Sequence, residues 1–100
     1  MNISHNPHEL LTQLRALLPL LCEKYHVQTL EVFGSYMRGE AGSNSDLDLL
    51  VTFDQVPTLF QFVALENFLS DRLGVKVDLV MKDSLKPEIG KRILAEAQAV

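Results

Sequence analysis

One hundred residues, 47% of them apolar, suit one domain with a single core, spanning 1–100. A net charge of −4 and a pI of about 5.2 leave no basic footprint for tracking phosphates, so no direct nucleic acid binding is expected. No apolar run approaches membrane-spanning length, and "MNISHNPHELL" lacks the basic-then-apolar order of a signal peptide. The single cysteine, Cys22, excludes an intrachain disulfide and fits the reducing cytoplasm.

The first predicted element is a helix over "NPHELLTQLRALLPLLCEKYH". Asn6 caps it, Pro7 suits its first position, and Glu9 sits where a capping box needs an acid. Leu10, Leu11, Leu14, Leu17, Leu18 and Leu21 make one apolar face, and Pro19 should kink or split the helix. Strands follow over "VQTLEVF", ended by Gly34, and over "DLDLLVTF". "DQVPT" is a turn. A helix over "TLFQFVALENFLSDRLG" has Thr58 and Gln61 as a capping pair, Gly74 as its stop, and Phe62, Leu65, Phe68, Leu69 and Leu73 as its buried face. "VKVDLVM" is a third strand. "SLKPEIGKRILAEA" is a last helix with Ile89, Ile93, Leu94 and Ala97 on one side, and the chain is expected to stop with it. Interleaved helices and strands predict an α/β class: a small mixed sheet with packed helices.

Three features carry chemistry. Asp46 and Asp48 are two apart on a strand, so they share a face, with Cβ atoms about 6.5–7 Å apart, while Leu47, Leu49 and Val51 point to a core. Two such carboxylates repel unless a cation sits between them, and all-oxygen ligands suit Mg²⁺. An isolated pair would be no more than a polar strand start. Asp78 stands between Val77 and Leu79 in a run that reads as buried, where an unpaired carboxylate is costly. If its strand neighbours the first pair, three carboxylates converge as in a two-metal phosphoryl-transfer site; the plainer reading pairs Asp78 with Lys76 or Lys82. In "GSYMRG", Gly34 lets backbone approach a phosphate, the Ser35 hydroxyl adds a hydrogen bond, and Arg38 offers a forked contact. No GKS or GKT follows, so this is not a P-loop.

The order "GSYMRG", then "SDLDLLV", then a third aspartate 30 residues after Asp48, resembles the nucleotidyltransferase signature of the DNA polymerase β superfamily. The whole chain is similar to the minimal nucleotidyltransferase (MNT) antitoxins, small proteins paired with HEPN-domain toxins. The resemblance implies a polymerase β-like nucleotidyltransferase core. It implies that Gly34 and Ser35 bind the nucleotide's phosphates and that Arg38 supports that loop or a phosphate. Asp46, Asp48 and Asp78 would hold two Mg²⁺ ions, with Asp78 helping to deprotonate the acceptor hydroxyl. The implied reaction moves AMP from ATP to a tyrosine of a HEPN ribonuclease encoded by a neighbouring gene and silences it, with a hetero-oligomer as the working assembly. No residues are left for an acceptor-binding domain, which also points to a protein acceptor. Two other functions stay open: an antitoxin that neutralises by complex formation alone, and a subunit that binds nucleotide as a regulator.

The remaining reactive residues form no second site. His5, His8 and His26 have no zinc spacing; His26 is placed at a helix end, complementing the dipole. Cys22 and Tyr25 read as packing, Tyr36 as helix surface or a base-stacking ring, and Gly39 to Ser45 as a loop beside the site. Lys76 is read as the partner of Asp78, and Lys91 and Arg92 as a solvated face.

Overall fold

The structure, a computed structural model, describes residues 7–34 and 46–100. Helix α1 runs Pro7–Tyr25, strand β1 Val27–Phe33, β2 Leu47–Phe53, helix α2 Leu59–Leu73 and β3 Val77–Met81. A 3₁₀ turn, Lys82–Ser84, leads to helix α3, Pro87–Glu96, and strand β4, Gln98–Ala99. The sheet order is β3-β2-β1-β4. β1 is antiparallel to both β2 and β4, and β2 is parallel to β3. A parallel pair needs a long crossover, and α2 supplies it. The expected mixed sheet with packed helices is therefore present.

Local signals account for α2. The Thr58 hydroxyl accepts from the Gln61 N–H, while Gln61 Oε1 accepts from the Thr58 N–H, so two orphan donors are satisfied. Gly74 ends the helix in the left-handed region at φ 68°, its N–H donating to the Ser70 carbonyl. Leu65, Leu69 and Leu73 are buried, with Phe62 and Phe68 packed half-buried beside them. The Phe68 ring meets Tyr25 at 5.6 Å and Phe62 meets Phe53 at 6.3 Å.

The core fills the space between one sheet face and α1 with α2. Leu10, Leu11, Leu14 and Leu21 of α1 are buried against Val27, Leu30 and Val32, then Leu47, Leu49 and Val51, then Val77 and Leu79. α1 is not split at Pro19. Pro19 is exposed, and Leu14 and Leu21 on either side are fully buried, so tertiary packing holds the two segments in one helix. Cys22 faces solvent rather than packing in the core.

The open edge of β3 is closed by α2. The Val77 N–H donates to Ser70 Oγ (3.0 Å) and the Leu79 N–H to Glu66 Oε2 (2.9 Å). These are the outward-pointing amides that an edge strand would otherwise leave unpaired.

Two expectations at the C-terminal end are corrected. The chain continues past α3 into β4, whose Gln98 and Ala99 pair with Val32 and Glu31, and the Val100 N–H donates to the Leu30 carbonyl. The apolar side of α3 is not a core face either. Ile89 is 55% and Leu94 46% exposed; Gly90, packed against Leu85, is the one buried residue of the helix.

Candidate active site

Alternation along β2 separates two functions. Leu47, Leu49 and Val51 enter the core, so Asp46 and Asp48 lie on the opposite face. The Leu47 N–H donates to the Lys76 carbonyl at 2.8 Å and locks the start of β2 against β3. In that register Asp48 stands beside Asp78. Partners in adjacent parallel strands point to the same face, about 4.8 Å apart across the sheet. Two carboxylates thus sit next to each other at the head of two strands, Asp48 half-buried and Asp78 exposed.

The exposure of Asp78 corrects its reading as a residue in a buried run. Val77 and Leu79 alternate inward and Asp78 outward, so the apolar neighbours in sequence are on the far side of the sheet. Lys76 also differs from expectation: its Nζ lies 3.9 Å from Asp46 Oδ2, and Asp46 is its neighbour across the sheet. Lys82 pairs with Glu31, Nζ to Oε2 at 3.3 Å.

Among the described residues no group of three or more His, Cys, Asp or Glu side chains is gathered in metal-holding geometry. Asp48 and Asp78 are brought together, while Asp46 is turned to Lys76. Both members of the Lys76–Asp46 pair are well exposed, at 79% and 40% of their side chains. Such a pair contributes at most about 1 kcal/mol, so it is a weak competitor for Asp46 against a divalent cation. The donor chemistry fits Mg²⁺: carboxylate oxygens, Asp78 exposed among them, with like charges that a cation would relieve.

Gly34 borders this pair. Its φ is +82°, and the place a Cβ would take is filled by Asp48 Oδ2. Only glycine allows both. Its N–H donates to Glu96 Oε1 at 3.1 Å, from the last turn of α3. What Gly34 offers Asp48 is therefore clearance. Ser35, Arg38 and Tyr36, and the stretch Gly39 to Ser45, lie outside the described residues, as do Asn6 and His5.

Glu96 is the functional candidate that the sequence reading missed. It meets Gly34 across 62 residues of chain, and no local pattern around it signals that contact. His26 takes a left-handed φ of 59° just after α1, with Nδ1 3.4 Å from Asp54 Oδ1, and accepts from the Asp54 N–H at its carbonyl. It closes the corner between α1 and β1, far from the carboxylates in the fold. A cavity of about 460 Å³ is lined by Pro57, Leu59, Phe62, Leu79 and Met81, without Asp48. A cavity of about 260 Å³ beside α3 is lined by Ile89, Arg92, Ile93 and Glu96.

Adjacent aspartates heading two strands of a small mixed sheet, with a glycine turn against them, define an α/β domain of the kind that handles nucleotide phosphates. Residues 14–100 match the family described as Nucleotidyltransferase domain, and the chain belongs to that family. It is 51% identical over 76 residues to the protein adenylyltransferase MntA of Thermococcus cleftensis, covering 76% of this chain and 77% of that one. A solved structure, described as that of a candidate minimal nucleotidyltransferase, is 39% identical with a TM-score of 0.81, covering 97% of this chain and 99% of the other. The fold is shared with a chain from the complex of tri-AMPylated Shewanella oneidensis HEPN toxin with MNT antitoxin, at 21% identity and a TM-score of 0.59, covering 94% of this chain and 67% of that one. The resemblance to minimal nucleotidyltransferases is thus borne out.

Proposed function

We propose that this chain is a Mg²⁺-dependent adenylyltransferase and antitoxin, moving AMP from ATP to a hydroxyl, a tyrosine by preference, of a partner HEPN ribonuclease in the cytoplasm. The observation that carries the proposal is the register of Asp48 beside Asp78 at the head of two strands, with Gly34 shaped around Asp48. The 51% identity to a protein adenylyltransferase favours a protein acceptor over a small molecule.

In this reading Asp46, Asp48 and Asp78 hold the metal, and Gly34, Ser35 and Arg38 receive the triphosphate. Mg²⁺, when bound, supplies positive charge at the phosphate oxygens as negative charge builds there. Asp78, exposed at the sheet edge, is open to an incoming side chain and accepts the proton of its hydroxyl. The acceptor oxygen forms a bond to the α-phosphorus, the bond from that phosphorus to the bridging oxygen breaks, and pyrophosphate leaves with that electron pair. Asp48, flanked by Gly34 on one side and Asp78 on the other, is the fixed point of the site.

The test mixes this chain, the product of the neighbouring gene, ATP and Mg²⁺ and weighs the partner intact. AMP increments on the partner are expected, and their loss with Asp48→Asn or Asp78→Asn. A tight complex that protects equally well with either variant, and carries no increment, would replace catalysis with neutralisation by binding.

A further inference from the structure

We propose that Glu96 is a positioning residue for Asp48, acting through the Gly34 peptide. The proposal rests on the transferase reading above. The Glu96 carboxylate holds the Gly34 N–H at 3.1 Å, and Asp48 Oδ2 fills the place a Cβ would take on that same glycine. Gly34 keeps its φ of +82° with this N–H held, and in that conformation Asp48 Oδ2 fills the place a Cβ would take. One hydrogen bond on the Gly34 peptide is therefore a single residue removed from the Asp48 carboxylate.

Glu96 is itself held from two sides. It is the last residue of α3, where the Ala97 N–H donates to the Ile93 carbonyl and ends the helix. Two residues later the chain is clamped to β1, with Gln98 opposite Val32, Ala99 opposite Glu31, and the Val100 N–H on the Leu30 carbonyl. Gly34 follows directly on β1. The carboxylate, two residues before β4, and the amide it holds, directly after β1, thus sit at the ends of two strands that pair with each other. A group set this way adds precision to a site without touching substrate. This also gives β4, only two residues long, a purpose beyond covering the sheet edge: it fixes the distance between α3 and the end of β1.

The test compares wild type with Glu96→Ala, which deletes the acceptor, and Glu96→Gln, whose amide oxygen still accepts from Gly34 but carries no charge. Two readouts are taken: Mn²⁺ affinity of the chain alone by titration, and transfer kinetics with the partner toxin. Glu96→Ala should weaken Mn²⁺ binding and lower kcat by about tenfold, the lower end of what second-layer partners of metal ligands contribute. KM for ATP should stay within about twofold, and Glu96→Gln should restore both values to within about twofold of wild type. Thermal melting identifies a variant that fails to fold; Glu96→Gln, which keeps the bond, then decides. Glu96→Ala at wild-type affinity and kcat would overturn the proposal, as would a Glu96→Gln chain as impaired as the alanine variant, since charge and not the hydrogen bond would then matter. A wild-type chain that transfers no AMP, yet loses Mn²⁺ affinity only in Glu96→Ala, would sink the transferase reading and leave this one standing.

Discussion

At Gly34 two constraints meet in one residue, a left-handed backbone and no room for a Cβ beside Asp48 Oδ2. Gly34→Ala should therefore be damaging twice over. Strain at a positive φ costs about 1–3 kcal/mol, and the added methyl must push the Asp48 carboxylate aside. A lowered melting temperature together with transfer reduced by more than tenfold is expected; alanine tolerated with full activity would show that the turn can relax. Asp78 gives the opposite pairing of effects. It is exposed and faces Asp48 across the sheet, so Asp78→Asn removes a like-charge neighbour and no packing. Thermal stability should stay within about 0.5 kcal/mol of wild type or rise, while transfer is lost. Measuring melting and transfer on the two variants separates a residue that builds the site from one that works in it. The facing of Asp46 and Asp48 away from the core could be read from alternation alone. The exposure of Asp78 could not, because an apolar run reads the same whether one face or both are covered.

At the scale of elements, α2 does two jobs, burying Leu65, Leu69 and Leu73 and covering the outer amides of β3. Glu66→Ala should leave the Leu79 N–H without its acceptor and destabilise the chain by about 1–2 kcal/mol, because a part-buried donor loses its partner. Thr58→Ala should cost about 1 kcal/mol through the lost cap. For a chain of this length each kcal/mol lowers the melting temperature by about 4–8 °C, so both shifts are measurable by calorimetry. A loss below about 2 °C for Glu66→Ala would mean that water replaces the carboxylate at that edge. The boundaries of α2 were legible because its caps are local, spanning three residues at one end and a single glycine at the other. β4 was not, since two residues, Gln98 and Ala99, carry no periodicity and become a strand only by pairing with β1. The face of α3 misled for a related reason. Ile89, Ile93 and Leu94 repeat at helical spacing, but α1 and α2 already fill the core, and α3 packs on the sheet at β1, where Glu96 reaches Gly34.

Across the whole molecule the sheet divides labour between its faces. One face, closed by α1 and α2, holds the aliphatic core; the other carries Asp46, Asp48 and Asp78 at its head, on a chain of net charge −4. Most of the aliphatic core thus lies on the side away from the site, although Leu50, on the face of Asp48, is fully buried as well, and the like charges of Asp48 and Asp78 repel across the sheet. A cation that bridges them should stabilise the fold as a whole. Binding to the folded chain alone contributes RT ln(1 + [L]/Kd), about 1.4 kcal/mol at a concentration ten times Kd. In a domain of 100 residues that corresponds to a rise in melting temperature of roughly 6–11 °C. The measurement is a melt with and without MgCl₂, against NaCl at equal ionic strength, on wild type and on the Asp48→Asn, Asp78→Asn double variant. Screening by salt would raise both chains alike and act with either salt. A site at the paired aspartates raises only the wild type, and only with the divalent ion. If Mg²⁺ and NaCl gave the same shift, or if the double variant kept the Mg²⁺ response, the two carboxylates would not be where the cation binds.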